Sequence, residues 1–163
     1  MALLDAAEVR QVADVRAHPG SRRLPHFASG RLESALAERR AGYRHLPALG
    51  GRRRPRADSV NDGWQNASFR AYADHTASRE FAEGLSELEC LAAAELTAMM
   101  CAEGLWWRCH RRLVADALVA RGWEVLHIAP DGRLSTHELT PFAELRDGRL
   151  TYPARPGQAL LGT

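Results

Sequence analysis

The strongest constraint on the fold is the stretch of residues 99–128, MMCAEGLWWRCHRRLVADALVARGWEVLHI, in which apolar and reactive segments alternate. The apolar run 96–101 is typical of a short buried strand, and apolar residues at helical spacing from Leu113 onward predict a helix that Gly122 ends. The apolar stretch 123–128 predicts a second strand. Strand, loop, helix and strand form a βαβ unit, and ligands of open parallel sheets bind beyond the carboxyl ends of the strands. The reactive loop is therefore predicted to lie at a ligand site.

The remaining elements continue this alternation. The sequence predicts the end of a helix over 1–8, a strand over 9–15, a helix over 30–41 capped by Ser29, a strand over 43–46, and helices over 67–76 and 79–94. Asp131-Gly132 predicts the turn of a hairpin between residues 127 and 140. Together these elements predict an α/β domain over residues 1–150, with a small, mostly parallel sheet and helices on both faces in three layers. Residues 151–163 are predicted to form a flexible tail.

Composition limits the classes of protein that fit. A chain of 163 residues with 45% hydrophobic residues is typical of one globular domain. The sequence has neither a signal-peptide pattern nor an apolar run that could cross a bilayer, so we expect a cytoplasmic protein without membrane contact. Three cysteines favour reduced thiols over a disulfide framework, with Cys90 expected in the core. All 22 basic residues are arginine, which excludes a P-loop lysine or a lysine Schiff base.

The arginines are unevenly distributed. Residues 1–56 hold 12 arginines against 5 acidic residues, and residues 57–163 hold 10 against 15. Positive charge concentrates in one loop with Arg16, Ser21 and Arg22, and in a second loop over residues 52–56. Guanidinium groups suit bidentate contacts to phosphate or carboxylate. The loops are thus interpreted either as anion-binding segments or as solvated surface paired with the acidic half.

Four side chains of the reactive loop are candidates for chemistry. Cys101 is expected either as a thiolate nucleophile, if a helix amino terminus lowers its pKa, or as an inert core thiol. Glu103 is either a general base or part of a loop ion pair with an arginine. Cys109 and His110, with Arg111, come at the predicted start of a helix, where an anion is favoured and a histidine is available as acid or base.

Cysteine and histidine are also metal ligands. Cys101, Cys109 and His110 do not follow the repeated CxxC or the HExxH spacing, so no metal ligand and no cofactor is predicted, and a metal site remains an alternative. His127 and His137 would add ligands only if the hairpin folds over the site. We expect slow, metal-independent reaction of the Cys101 thiol.

Two further groups of residues complete the predicted site. Asp14 and Arg16 are expected on one face of their strand, next to the Cys101 end. Asp14 is interpreted as an acid or base and Arg16 as a substrate contact. The alternative is a structural ion pair between them. Trp64 is interpreted as a stacking surface for a base, and Trp106 as a pocket wall beside Glu103.

Four segments in the same order carry a family resemblance. They are DVRAHPGSRRLPHF (14–27), YRHLPALGGRRR (43–54), SFRAYAD (68–74) and the stretch 99–128. The chain resembles the domain of unknown function 488 family over residues 14–137. The resemblance implies an amino-terminal strand with no counterpart here, so we expect the chain to begin about one strand late. It implies no established activity.

The favoured hypothesis is an enzyme that hydrolyses, or transfers a group on, a phosphate-bearing substrate derived from a nucleotide or nucleic acid. Redox chemistry is disfavoured because no GxGxxG follows a strand. The alternatives are a non-catalytic module that binds nucleic acid or a protein through the arginine-rich loops, and a cysteine and histidine metal-binding protein. The oligomeric state is not predicted.

Overall fold

A parallel sheet of three strands positions the site. The computed structural model describes residues 1–20 and 24–154. Its central strand, β1 (Gln11–Asp14), lies between β2 (Gly42–His45) and β3 (Thr97–Met100), and both pairings are parallel. The register places Asp14 opposite His45 on one side and Met100 on the other. The carboxyl ends of all three strands therefore meet at one edge, as the sequence predicts.

In the described part of the chain, five helices surround this sheet. They are α1 (Ala2–Ala6), α2 (Ser29–Ala37), α3 (Ala67–Thr76), α4 (Arg79–Ala94) and α5 (Arg111–Ala120). The bounds predicted for the third and fourth helices are confirmed. Each begins at a side chain that accepts backbone N–H bonds, Asn66 before α3 and Ser78 before α4. None of these helices has the length and apolar character needed to cross a membrane.

The prediction for the second helix is partly wrong. Ser29 is its first residue and not its cap; Ala28 takes the cap position without a side-chain hydrogen bond. The Ser29 hydroxyl therefore has no capping role. The helix ends at Ala37 instead of continuing to residue 41, and the chain then turns through Arg40 at a φ of 58°. A left-handed residue is incompatible with continuing the helix.

Side chains of β1 alternate between two cores on opposite faces of the sheet. Val12 packs with Leu32 and Leu36 of α2 in the smaller core. Ala13 and Val15 face the larger core, which is built from α3, α4 and α5. Its members include Tyr72, Leu85 and Leu113, all nearly inaccessible to solvent. The predicted three-layer arrangement, with helices on both faces of a small parallel sheet, is confirmed.

The predicted βαβ unit is wrong at its second strand. Strand β4 (Leu126–Ile128) pairs antiparallel with β5 (Leu134–Thr136) and does not join the parallel sheet. The backbone groups of β4 are used in this hairpin, whose turn contains Gly132 at a φ of 84°. The hairpin predicted at Asp131-Gly132 is therefore confirmed, and α5 does not connect two parallel strands.

A second hairpin, β6 (Glu144–Arg146) with β7 (Arg149–Thr151), follows in a region for which the sequence predicts no strand. Asp147 and Gly148 form its turn with φ of 50° and 73°. This Asp-Gly pair is a turn signal in the sequence that the prediction overlooked. The next residue after β7, Tyr152, is fully buried. The expected start of a flexible tail at residue 151 is therefore wrong for these residues, while residues 155–163 lie outside the described part of the chain.

Candidate active site

Three side chains meet beyond the carboxyl end of β3, in a group that we call the cysteine–histidine cluster: Cys101, Cys109 and His110. Cys101 follows β3 directly, and a short 3-10 helix (Trp106–Arg108) turns the chain back toward it. His110 Nδ1 lies 3.6 Å from Cys109 Sγ and 3.9 Å from Cys101 Sγ. The three ligand atoms all lie within 4.8 Å of one another. The structure thus brings together three residues that sequence spacing does not identify as a metal motif.

The orientation of the His110 ring follows from its second nitrogen. Nε2 lies 3.0 Å from the backbone carbonyl oxygen of Val15, just after β1. A carbonyl oxygen only accepts hydrogen bonds, so Nε2 carries the proton and Nδ1 presents its lone pair to the two sulfurs. The Tyr72 ring packs nearby, with the centroids 4.9 Å apart. This neutral tautomer is suited to accept a proton or bind a cation.

Gly51 leaves room for that ring. A Cβ atom at this position would lie 2.8 Å from His110 Cγ, closer than carbon atoms normally approach. The neighbouring Tyr72 is fixed by its hydroxyl, which donates to the Leu49 carbonyl oxygen at 2.7 Å. Gly51 is not among the site residues predicted from the sequence. The Gly50-Gly51 pair after β2 was the available signal, because adjacent glycines often mark close backbone approach.

The two thiols are electrostatically different. The pKa of Cys101 is raised to about 12, because it donates a hydrogen bond to Cys109 and is buried. The pKa of Cys109 is lowered to about 6, since it accepts that bond and also bonds from the Arg111 backbone and side chain, which outweigh burial. Cys109 sits immediately before the α5 amino terminus, where N–H groups favour an anion. The lowered pKa favours the thiolate at Cys109, whereas the raised pKa of Cys101 agrees with the slow reaction expected for that thiol.

The cluster opens into a cavity of about 340 Å³. Its described lining includes three arginines, Arg16, Arg52 and Arg108, and a single acidic residue, Glu103. Arg111 donates to the backbone carbonyl oxygen of Glu103, so the expected contact between these residues is made without the carboxylate. Within the described residues, no ion pair involves the Glu103 carboxylate, which is exposed at the cavity. The described lining therefore holds more arginine than acidic side chains, although Asp14 already pairs with Arg16.

Asp14 holds Arg16 in the cavity wall. Asp14 is fully buried and accepts from the Arg16 Nε at 2.8 Å, while the Tyr43 hydroxyl donates to it at 2.6 Å. Burial alone raises the pKa of the Asp14 carboxyl, but the bonds from Arg16 and Tyr43 outweigh it and hold that pKa below its ordinary value. Burial and the bond to Asp14 raise the pKa of Tyr43 to about 12. Asp14 thus positions Arg16, and the acid or base role expected for it is not supported.

The two predicted tryptophans lie outside the cavity. Trp64 is 8% exposed and stacks on Phe69 at 4.8 Å within the larger core, with the Arg112 guanidinium over its ring. It has no free face for a base. Trp106 stacks on His127 at 3.7 Å in a separate groove, so the pocket wall expected at this tryptophan belongs to another surface. The predicted contacts Ser21 and Arg22 lie outside the described residues.

His127 and His137 do not reach the cluster. They bond to each other at 2.9 Å, and His137 Nε2 lies 2.9 Å from the buried carboxylate of Asp116. The Tyr152 hydroxyl donates to the same carboxylate at 2.9 Å. Burial, His137 and Arg111 lower the pKa of His127 to about 4. These residues anchor the first hairpin and Tyr152 to α5 and add no ligand to the cluster.

Cys90 is exposed on α4, so its expected core position is wrong. Cys90 lies in the last turns of α4 between residues that face the core, and its own side chain faces solvent.

Comparison of the chain with curated proteins and with solved structures yields no match. A family model matches residues 1–118, which is more than two thirds of the 163 residues and includes the whole cysteine–histidine cluster. The matched residues also contain Asp14, Arg16 and Gly51. The chain therefore belongs to the family described as Domain of unknown function DUF488.

Proposed function

We propose that the protein is an enzyme that hydrolyses, or transfers a group on, a phosphate-bearing substrate derived from a nucleotide or nucleic acid. The observation that carries this proposal is that the reactive cysteine–histidine cluster and three arginines line one cavity. Arginine forks recognise phosphate oxygens, and a reactive group beside them would act on the bound ester. A cavity of about 340 Å³ falls at the lower end of the size range of small-molecule sites.

The arginines differ in how firmly they are held. Asp14 fixes the Arg16 guanidinium through Nε and Nη2, so this side chain loses little conformational entropy when it contacts an anion. Arg52 and Arg108 are exposed and belong to separate segments of the cavity lining. Each adds a positive charge to the cavity. These features together favour a dianionic group over a neutral ligand.

The alternative is a non-catalytic module that uses the loop over residues 52–56 on nucleic acid or a partner protein. Within this loop, Arg53 donates to the Glu80 carboxylate at 2.9 Å and to the Ala48 carbonyl oxygen at 3.0 Å. Arg56 pairs with Asp58 at 2.8 Å. Internal partners therefore occupy two of its arginines, while Arg52 belongs to the cavity lining. The arrangement favours the enzyme.

Calorimetric titration with nucleoside mono- and diphosphates, followed by product analysis, tests the proposal. We expect Arg52→Gln to weaken binding about 10-fold or more, the value of a charge-assisted hydrogen bond of about 1.5 kcal/mol. The matched control is Arg146→Gln, because Arg146 is exposed on β6, pairs with Glu144 and is absent from the described cavity lining. Turnover should disappear in His110→Gln while binding persists.

Two outcomes would contradict the proposal. One is the absence of saturable nucleotide binding by the wild type. The other is binding of oligonucleotides with a steep salt dependence and no product, which would support the non-catalytic module.

A further inference from the structure

We propose that Cys101, Cys109 and His110 bind one Zn²⁺ ion and leave its fourth coordination position open toward the arginine-lined cavity. The ligand geometry stands without the proposed function, and only the role of the ion in a reaction rests on it. Two thiolates and an imidazole are preferred ligands of zinc. Three protein ligands with an open position are typical of catalytic zinc sites, whereas structural sites have four.

The donor atoms already face one another. The proton on His110 Nε2 is fixed by the Val15 carbonyl oxygen, so the lone pair of Nδ1 is directed to the side on which both sulfurs lie. Histidine ligands of metals commonly donate their other ring N–H to a carbonyl or carboxylate in this way, which fixes both the tautomer and the ring orientation. The Val15 carbonyl therefore holds the ligand ring in its orientation.

The distances fit a tetrahedral ion. Zinc–sulfur bonds of about 2.3 Å and zinc–nitrogen bonds of about 2.0–2.1 Å at tetrahedral angles separate sulfur from nitrogen by about 3.6 Å. The observed separations are 3.6 Å to Cys109 and 3.9 Å to Cys101. The distances from Nδ1 therefore agree with a tetrahedral ion to within a few tenths of an ångström. The two sulfurs lie within 4.8 Å of each other.

The surroundings of the cluster support a charged centre. Two thiolate ligands balance the charge of Zn²⁺. Tyr72 and the close approach of Gly51 restrain the imidazole. Because the three ligands also line the cavity, a water molecule or a phosphate oxygen of a substrate can reach the fourth position.

Sequence spacing did not reveal this site because its ligands belong to no local motif. Cys101 comes from the end of a strand, and Cys109 and His110 are neighbours at the start of a helix. Only the parallel register of β1 with β3 brings the Val15 carbonyl beside them.

Cobalt titration of the metal-free full chain tests the inference. We expect Co²⁺ to produce a sulfur-to-metal charge-transfer absorption that saturates at one ion per chain and that Zn²⁺ abolishes. Cys101→Ser, Cys109→Ser and His110→Gln should each weaken Co²⁺ binding more than about 10-fold, which is the lower range for losing even a residue that only hydrogen-bonds to a metal ligand. Cys90→Ser is the matched control, because Cys90 is an exposed thiol on α4, and it should bind like the wild type.

A second measurement uses the unaltered chain and does not depend on variants that fold poorly. One equivalent of Zn²⁺ should slow alkylation of Cys101 and Cys109 at least about 10-fold without affecting Cys90, as read by peptide mass spectrometry. Equal alkylation with and without Zn²⁺, or a charge-transfer band that persists in a Cys101→Ser, Cys109→Ser double variant, would overturn the inference. Nucleotide binding by the metal-free protein is measured separately, so loss of the metal site and loss of the proposed function are distinguishable.

Discussion

His110 at the start of α5 donates from Nε2 to the backbone carbonyl oxygen of Val15, 3.0 Å away at the end of β1. This one bond links the helix that follows the reactive loop to the central strand of the sheet. It directs Nδ1 toward the sulfurs of Cys101 and Cys109. The sheet edge therefore determines which nitrogen of the histidine is available for chemistry.

Gly51→Ala should disturb the site while all its polar residues remain. The added methyl group would overlap the His110 ring, whose Cγ would lie 2.8 Å from it. We expect Co²⁺ binding to weaken more than about 10-fold, with a loss of stability of about 1–3 kcal/mol, typical of overpacking. Gly104→Ala is the control, since a Cβ there meets no atom within 4 Å. Unaltered Co²⁺ affinity in Gly51→Ala would show that the ring is not restrained by this contact.

Asp14→Asn should destabilise the fold and release Arg16. Arg16 is only 8% exposed, and the substitution leaves its guanidinium without an anionic partner. Breaking a buried ion pair by removing one partner costs about 3–5 kcal/mol. Urea denaturation measures this loss, and Tyr43→Phe should lose less, about 1.5–3 kcal/mol, because it removes one bond to the carboxylate. A larger loss in Tyr43→Phe than in Asp14→Asn would contradict this order.

The carboxyl group of Asp14 should also account for part of the loss of stability in acid. The hydrogen bonds from Arg16 and Tyr43 hold the pKa of Asp14 below its value in the unfolded chain, although burial opposes them. A carboxyl of this kind stabilises the fold above its unfolded pKa of about 3.9, and its contribution is lost as the pH falls through the lower folded value. The free energy of unfolding should therefore fall less steeply below about pH 4 in Asp14→Asn than in the wild type. Parallel pH profiles of the two proteins would exclude this contribution.

Tyr152→Ala should unfold the domain more easily without touching the cavity. Its ring is fully buried beside Trp64, and its hydroxyl donates to Asp116. Removing a large buried aromatic side chain costs about 3–5 kcal/mol. Thermal and urea unfolding measure the loss, and the exposed control Leu145→Ala on β6 should lose much less. Equal stability of Tyr152→Ala and the wild type would place the chain after residue 150 outside the folded domain.

Local patterns predict much of this fold. The bounds predicted for α3 and α4 agree with the structure, and an Asp-Gly turn identifies the first hairpin. The same patterns fail at β4, because apolar character does not say which neighbour a strand will pair with. They also give no sign that Trp64 packs in the core, since a tryptophan near arginine fits either a core or a binding surface.

The sequence likewise predicts which residues form the site but not their geometry. The sequence brings Cys101, Cys109, His110 and Arg16 to one sheet edge, because strand ends and helix starts are visible in the pattern. Its internal geometry depends on long-range contacts, such as that of Gly51 with a ring 59 positions later in the chain. The separate roles of the two thiols depend on the α5 amino terminus and Arg111, which act only once the loop has folded back.

Titration of a nucleoside diphosphate into ¹⁵N-labelled, metal-free protein, followed by NMR, shows whether the arginines and the cysteine–histidine cluster form one phosphate-binding site. We expect saturable shifts of the amides of Gly51, His110 and Arg111, which Arg52→Gln weakens and Arg146→Gln does not. Shifts confined to residues 53–56 of the arginine-rich loop, or the absence of a saturable shift at the start of α5, would rule out a shared site.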